Sequence, residues 1–269
     1  MPVTAEWIRS DNDIGYLVWP ARALLPLPAV LVIQEIWGVD EHIQDVTRRL
    51  ASAGYAAYAP DLYANDGVRA DGLRPDRIGE YQELLATLPS SAATPEARAT
   101  AISALPEPAR SRLSETHQLL FSGLRKLDHH LPALVRAARF LRTTCDVSFG
   151  QKIACVGFCM GGGLACLLAT ADPELAGAAV FYGSAPPLDQ VPRIACPVLG
   201  FYAGLDERIN AGIPAFEGAL AASGKRFERH VYTTAKHGFF NDARPAYDVA
   251  AARDSFTRLL AFFQSRLAP

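Results

Sequence analysis

Residues 152–166, KIACVGFCMGGGLAC, pass from the pattern of a β-strand to that of an α-helix within one short turn. Residues 152–156 are apolar, small or β-branched, which predicts a buried strand. Residues 160–169 are apolar and rich in Ala and Leu, which predicts a helix. We therefore expect a sharp strand-to-helix corner here, with the rest of the chain organised around it.

The corner itself, Gly157-Phe158-Cys159-Met160-Gly161, has the form Gly-x-nucleophile-x-Gly. Such a corner exposes its central residue on a strained backbone, and the flanking glycines leave room for close backbone approach. The helix N-terminus supplies free N–H groups and a dipole that favour a thiolate and an oxyanion. Cys159 is therefore the candidate nucleophile. A glycine-rich turn with a buried structural cysteine is the alternative for the motif alone.

The composition is that of a chain able to bury a large apolar core. Its 269 residues are 50% hydrophobic and carry a formal net charge of −2. Because α/β folds of this length often form one domain, we expect residues 1–269 to do so. The small negative charge argues against nucleic acid or an anionic membrane as the main partner.

Signals for location and redox state favour the cytoplasm. The N-terminal residues lack the basic flank and apolar core of a secretory signal, and no run of about 18 apolar residues would span a membrane. The five cysteines are odd in number and lack metal-binding spacing, as in reduced proteins with free thiols. We predict a cytoplasmic protein without a metal or other cofactor, either a monomer or a small homo-oligomer.

Apolar runs alternate with helical patterns along most of the chain. This alternation predicts an α/β fold with a mostly parallel sheet and helices on both faces, preceded by an N-terminal antiparallel hairpin. The hairpin strands are predicted at 6–9 and 15–19. Further strands are predicted at 29–33, 55–59, 152–156, 176–182, 196–202 and 226–232, and helices at 40–53, 127–143, 160–169, 213–222 and 247–267.

Residues 63–122 are the least regular part of the chain, with several prolines and alternating charged and alanine-rich pieces. We interpret them as a helical excursion within the domain, part of a cap beside the active site. A disordered insertion is the alternative interpretation for residues 89–108.

Three loops that follow predicted strands carry complementary side chains. In parallel sheets, functional residues collect beyond the carboxyl ends of the strands. Cys159, Asp206 and His237 each lie in such a loop, in the order nucleophile, acid, histidine that is typical of an α/β-hydrolase. His237 would activate the thiol, and Asp206 would hold the imidazole in its working tautomer. Taken singly, Asp206 is equally a helix cap with Glu207 as a rival acid, and His237 a surface residue.

Four separated motifs resemble the dienelactone hydrolase family, whose members are α/β-hydrolases with a Cys-His-Asp triad. The resemblance spans about residues 29–263. It is carried by Gln34-Glu35-Ile36-Trp37-Gly38-Val39, by Ala59-Pro60-Asp61-Leu62-Tyr63-Ala64, by residues 157–162, and by the loops of Asp206 and His237.

The resemblance implies roles for further residues. Glu35 matches a glutamate that lies against the resting thiol and helps to convert it to a thiolate, the alternative being an exposed loop residue. The backbone N–H groups of Ile36 and Met160 match the oxyanion hole. Arg77 and Tyr81, one helical turn apart, resemble a substrate-binding pair or else form a solvated helix face. Trp37 joins them as a candidate substrate-binding residue.

The chain also departs from the family pattern. Members that act on dienelactone bind the substrate carboxylate with arginines, one of them a few residues beyond the catalytic histidine. That position falls near Asn241, and the next arginine is Arg244. We therefore expect a natural substrate other than dienelactone.

The sequence thus predicts a cofactor-free hydrolase of small lactones or esters that works through an acyl-enzyme on Cys159. A carboxylesterase or thioesterase with an unrelated substrate on the same scaffold is one alternative. A non-catalytic, redox-responsive thiol protein is another. The acid and histidine loops argue against the redox protein, because a sensor needs neither.

Overall fold

The computed structural model describes residues 2–10, 12–88, 94–123 and 126–268. Within these ranges the strands are β1 (Val3–Ser10), β2 (Asp13–Pro20), β3 (Ala29–Ile33), β4 (Ala56–Pro60), β5 (Ala64–Asn65), β6 (Val68–Arg69), β7 (Ile153–Phe158), β8 (Gly177–Phe181), β9 (Val198–Ala203) and β10 (Phe227–Tyr232). The α-helices are α1 (Glu41–Ser52), α2 (Pro75–Ala86), α3 (Pro95–Ser103), α4 (Ala109–Gly123), α5 (Leu131–Thr143), α6 (Met160–Ala171), α7 (Glu207–Asn210), α8 (Ile213–Ala222) and α9 (Val249–Leu267). Short 3-10 helices lie at Asp71–Leu73, Leu127–His130 and Leu188–Arg193.

Most of these strands form one sheet in the order β1-β2-β4-β3-β7-β8-β9-β10. β2 pairs with β1 and with β4 in antiparallel fashion. From β4 across to β10, neighbouring strands run parallel. The predicted N-terminal hairpin followed by a mostly parallel sheet is therefore confirmed. β5 and β6 form a separate small hairpin.

Helices cover both faces of the sheet. Along β3, Leu31 and Ile33 join the apolar cluster under α5 and α6, whereas Val30 and Val32 join the cluster under α1 and α9. This alternation is the two-residue period of a strand. Because both faces are covered, β3, β4, β7, β8 and β9 are buried along their whole length, as their continuous apolar sequences predict.

Two helix boundaries differ from the prediction for local reasons. The segment predicted as one helix at 127–143 is a 3-10 turn followed by α5, because Pro132 in the first turn of α5 has no N–H to donate and restricts the residue before it. The C-terminal helix begins at Val249 rather than at residue 247. Asp248 caps it by accepting the N–H groups of Ala250 and Ala251.

Residues 63–122 contain the β5–β6 hairpin and helices α2, α3 and α4. Ile78, Ile102 and Leu120, one from each helix, belong to the same apolar cluster as Leu31 of the sheet. Of the stretch 89–108, for which disorder was the alternative, residues 95–103 form α3, and residues 89–93 lie outside the described residues. No helix in the described part of the chain is long and apolar enough to cross a membrane.

The first turn of α6 lies at backbone contact distance from neighbouring strand ends. A Cβ added to Gly161 would lie 2.3 Å from the carbonyl oxygen of Ile33, and one added to Gly162 would lie 2.8 Å from the Cα of Gly183. Real Cβ atoms essentially never approach backbone atoms so closely. α6 reaches the sheet here because these residues have no side chain.

Gly161→Ala should therefore destabilise the fold. The added methyl group has to displace backbone, so we expect a loss of about 1–3 kcal/mol in the free energy of unfolding, measured by urea denaturation. Gly218→Ala in α8 is the matched control, because a Cβ there meets nothing within 4 Å. It should leave stability unchanged or raise it by up to about 1 kcal/mol. Equal effects of the two substitutions would contradict the close packing of α6.

Candidate active site

Cys159 occupies the turn between β7 and α6 in a strained backbone conformation. Its φ is 55° and its ψ is −112°, a region that residues with a side chain rarely adopt. The Cys159 N–H donates to the carbonyl of Phe181 at 3.0 Å. A Cβ on Gly157 would lie 1.8 Å from the Gly161 carbonyl oxygen, so the turn closes only around glycine. Such strain persists where the surrounding structure imposes it. The fold therefore holds this half-buried sulfur at the corner.

His237 and Asp206 meet at the carboxyl end of the sheet. His237 Nδ1 lies 2.5 Å from Asp206 Oδ2. The other oxygen, Oδ1, accepts the N–H of Ile209 at 3.4 Å and caps α7. Asp206 thus serves as helix cap and as histidine partner at once, while Glu207 begins α7 in an exposed position. The geometry selects Asp206 over Glu207 as the candidate acid.

The surroundings of His237 stabilise its protonated form. Burial alone would lower its pKa, but hydrogen bonds to Asp206 and to the Cys159 sulfur outweigh burial and raise the pKa to about 10. The imidazole is therefore cationic at neutral pH and lies beside the cysteine sulfur. These contacts join Cys159, His237 and Asp206 in one chain of hydrogen bonds.

Glu35 is buried, in contrast to the alternative of an exposed loop glutamate. Its Oε1 accepts a hydrogen bond from Tyr182 Oη at 3.2 Å, and its Oε2 accepts one from Asn241 Nδ2 at 2.8 Å. Burial, with the charge of Glu35 adding to it, raises the pKa of Tyr182, so the phenol remains a neutral donor. Two neutral donors therefore fix this carboxylate. One of them is Asn241, the residue that stands near the position of the family's arginine.

The two candidate oxyanion donors lie on adjoining segments. Ile36 follows β3 in a buried loop, and Met160 is the first residue of α6. Gly161, next to Met160, packs directly on the carbonyl groups of Ile33 and Gln34. The first turn of α6 and the loop after β3 are therefore in backbone contact, as two donors to one oxygen need to be.

Trp37 and Tyr81 are neighbours, with ring centroids 6.5 Å apart. Tyr81 is fully buried, and its hydroxyl lies 2.7 Å from Nδ1 of His117. The guanidinium carbon of Arg244 lies 4.8 Å from the centroid of the Trp37 ring. Burial raises the pKa of Asp40, and the charge of Arg244 is among those that oppose this rise, so a carboxyl lies within electrostatic reach of Arg244. An aromatic pair and a cation thus lie beside the Glu35–Ile36 loop.

Arg77 is buried between helices. Its Nη1 binds Asp71 at 2.8 Å and its Nη2 binds Glu115 at 2.9 Å, which ties α2 to α4. Neither Arg77 nor Tyr81 lies on a solvated helix face, because both are buried. Tyr81 therefore lies beside Trp37, whereas the terminal nitrogens of Arg77 bind residues of neighbouring helices.

Sequence reasoning missed the partners of these residues. Tyr182 directly follows β8, and the rule about strand-end loops would have identified it. Asn241 and Arg244 lie just after His237, but nothing in their local sequence indicates that they reach Glu35 and Trp37. Within the described ranges, no group of three or more His, Cys, Asp or Glu side chains is arranged to hold a metal ion.

Asp206→Asn should lower the pKa of His237. The amide keeps the shape of the side chain but replaces a charged acceptor by a neutral one, so the imidazolium loses a stabilising partner. An NMR titration of the His237 ring should give a midpoint near 10 in the unmodified protein, and one lower by about one pH unit or more in Asp206→Asn. The exposed Asp189→Asn should leave the midpoint in place. An unmoved midpoint in Asp206→Asn would refute the pairing.

The raised pKa of His237 also makes the stability of the fold depend on pH. Because the folded-state pKa of His237 lies above its ordinary value of 6.5, its stabilising contribution is fully present below that pH and is lost as the pH rises through about 10. Asp206→Asn should lose this contribution at a lower pH, which urea denaturation at a series of pH values would detect.

Comparison with known proteins identifies relatives over almost the whole chain. The sequence profile of the dienelactone hydrolase family matches residues 14–267. A relative from Saccharolobus solfataricus, provisionally named a carboxymethylenebutenolidase, is 36% identical over 251 residues, which are 90% of this chain and 93% of that protein. An Escherichia coli relative with the same provisional name is 32% identical over 267 residues, which are 95% of this chain and 83% of that protein.

Solved structures agree with these relatives. A provisionally named dienelactone hydrolase from Klebsiella pneumoniae superposes with a TM-score of 0.63 at 28% identity, over 97% of this chain and 98% of that chain. A dienelactone hydrolase-like promiscuous phosphotriesterase from metagenomic libraries has a TM-score of 0.67 over 99% of both chains, and its 22% identity shows the shared fold alone. The chain is thus a hydrolase with the α/β-hydrolase fold, and it belongs to the dienelactone hydrolase family.

Proposed function

We propose that the chain hydrolyses small lactones or esters, with Cys159 as nucleophile and His237 and Asp206 completing a triad. The observation that carries this proposal is the 2.5 Å contact between His237 and Asp206, continued by the imidazole to the Cys159 sulfur. A nucleophile beside a base that is itself oriented by a third group is the arrangement that covalent catalysis requires.

Acylation starts from the Cys159 thiolate and the His237 imidazolium. The sulfur attacks the carbonyl carbon, a C–S bond forms, and the carbonyl electrons move onto the oxygen. The backbone N–H groups of Ile36 and Met160 stabilise this oxyanion. As it collapses, the ester C–O bond breaks and His237 gives its proton to the leaving alkoxide. In a lactone, the released hydroxyl stays attached to the acyl group.

Deacylation uses the same groups in reverse. Neutral His237 removes a proton from water, and the water oxygen attacks the thioester carbonyl. The C–S bond then breaks, and the sulfur leaves as a thiolate beside the imidazolium. Asp206 holds the ring and stabilises its charge in both halves of the reaction. The cycle ends with the ion pair from which acylation starts and consumes no cofactor.

Glu35 is proposed to accept the thiol proton when the resting sulfur is neutral, as the family resemblance implies. Tyr182 and Asn241 hold its carboxylate without a cation, so no direct partner cancels its charge. In this role the carboxylate would act as a general base toward the thiol.

Residues 63–122 are proposed to act as a cap over the substrate within a single domain. Their helix α2 carries Tyr81, which lies against Trp37 of the oxyanion loop. The ring of Trp37 is partly exposed and would offer apolar surface to a substrate, with the buried Tyr81 ring packed against it. Arg77 would contribute by holding α2 against α4, since its terminal nitrogens bind Asp71 and Glu115.

A carboxylesterase or thioesterase with another substrate would use the same triad, because the fold does not determine the substrate. A redox-responsive thiol protein is supported less well. The contact between His237 and Asp206 would have no part in its chemistry.

Cys159→Ala should abolish hydrolysis. On a panel of lactones and activated esters that includes dienelactone, loss of the nucleophile should lower the rate by about a thousandfold or more. Cys196→Ala, which removes a buried thiol, is the control and should retain activity. Activity that survives in Cys159→Ala would remove this residue as the nucleophile. The ranking of the substrates by their hydrolysis rates would identify the acyl and alcohol parts that the site accepts.

Arg244→Gln should discriminate between charged and neutral esters. A cation beside Trp37 favours substrates that carry a carboxylate, so the substitution should raise their KM about tenfold. The KM of a neutral ester of the same size should stay constant. Arg253→Gln, at an exposed position of α9, is the control. An equal rise for both kinds of ester would contradict a charge-reading role for Arg244.

A further inference from the structure

Two peptide groups meet at the Cα of Ile36. The first joins Glu35 to Ile36 and carries the Ile36 N–H. The second joins Ile36 to Trp37 and carries the Ile36 carbonyl. Because each peptide group is planar, the first group sets the direction of the N–H, and holding the second limits how far the first can rotate.

Each of these peptide groups is held by one hydrogen bond. The carbonyl of Glu35 accepts the N–H of Gly38 at 3.3 Å. The carbonyl of Ile36 accepts the phenolic hydroxyl of Tyr63 at 2.6 Å, in a buried position. The first bond is local, whereas the second comes from a different loop. Tyr63 therefore supplies the part of this restraint that the oxyanion loop cannot provide itself.

Tyr63 is itself fixed by the motif to which it belongs. Its N–H donates to Asp61 Oδ1 at 3.1 Å, and the N–H of Leu62 donates to Gln34 Oε1 at 3.1 Å. Burial raises the pKa of Tyr63, and the nearby Cys159 sulfur adds to the effect, so the hydroxyl stays a neutral donor.

A buried ion pair of Asp61 with Arg69 also contacts the turn at Gly38. Asp61 Oδ2 binds Arg69 Nε at 2.6 Å, with both side chains nearly buried. Gly38 has a φ of 81°, and a Cβ there would lie 3.0 Å from a terminal nitrogen of Arg69. The guanidinium thus packs against the turn whose N–H holds the Glu35 carbonyl.

We propose that Tyr63 is a positioning residue of the oxyanion hole, which directs the Ile36 N–H at the substrate oxygen by holding the Ile36 carbonyl. This inference rests on the proposed function, because it gives the Ile36 N–H its role in stabilising the oxyanion. The Asp61-Leu62-Tyr63 segment has no part in the proposed triad, and its role is to position the oxyanion loop.

Tyr63→Phe tests the proposal, because it removes one oxygen and keeps the buried ring. Two reactions of the same sulfur are compared. Ester hydrolysis passes through an oxyanion. Alkylation by iodoacetamide does not, because the sulfur displaces iodide from a saturated carbon and no charge develops on a carbonyl oxygen. Loss of the Cys159 thiol is followed by mass spectrometry of its peptide.

In Tyr63→Phe, the kcat for ester hydrolysis should fall about tenfold to a hundredfold. This fall is no larger than the fall in kcat expected when a whole oxyanion donor is removed. The KM and the alkylation rate of Cys159 should stay within about twofold of the unmodified protein. Tyr232→Phe is the matched control, since it removes a hydroxyl that donates to Asp254 at 2.8 Å, between β10 and α9. It should leave both reactions unchanged.

Hydrolysis at the normal rate in folded Tyr63→Phe would overturn the proposal, and so would a parallel loss of alkylation. If Tyr63→Phe fails to fold, Tyr63→Met decides in the same assay, because it also removes the hydroxyl from the Ile36 carbonyl and leaves an apolar side chain in the buried position. An unmodified protein with no esterase activity would overturn the proposed function and this inference with it. Activity that depends on Cys159 but not on Tyr63 would overturn the inference alone.

Discussion

The first turn of α6 touches neighbouring strand ends through backbone atoms, and the arrangement of the whole site depends on this contact. Gly157 lies against Gly161, Gly161 against the Ile33 carbonyl, and Gly162 against Gly183. A side chain at any of these positions would push the helix away from the sheet. The contact forces Cys159 into its positive-φ conformation and brings the N-terminus of α6 beside the loop that carries Glu35 and Ile36.

Two charged side chains lie close to this contact, and Tyr182 contacts both of them. His237 is held as a cation by Asp206 and by the cysteine sulfur, and its ring centroid lies 5.0 Å from that of Tyr182. Glu35 accepts hydrogen bonds from Asn241 and from the hydroxyl of the same Tyr182. Tyr182 therefore connects the surroundings of the histidine to those of the buried carboxyl group.

The positions of the candidate triad residues could be predicted from the sequence because each lies in the loop that follows a strand, and parallel strands end at one edge. The partners of Glu35 could not, since Tyr182 and Asn241 lie 147 and 206 residues away from it along the chain. Arg77 and Tyr81 share a helix face by their spacing, but spacing does not reveal what covers that face. Helix α3 was equally hard to predict, because short polar segments with prolines acquire structure from tertiary packing that the local sequence does not encode.

The pairing of β3 with β7 has a consequence for how the chain reaches its native state. Ala29 pairs with Ile153, and residues 63–122 make up roughly half of the chain between them. Closing a flexible loop costs entropy that grows only with the logarithm of its length, so doubling the loop adds about 0.6 kcal/mol. The length of the helical excursion therefore adds little to the entropic cost of bringing these two strands together. Its main effect falls on the folding rate, because the central strands must find each other across a long separation before the sheet can form.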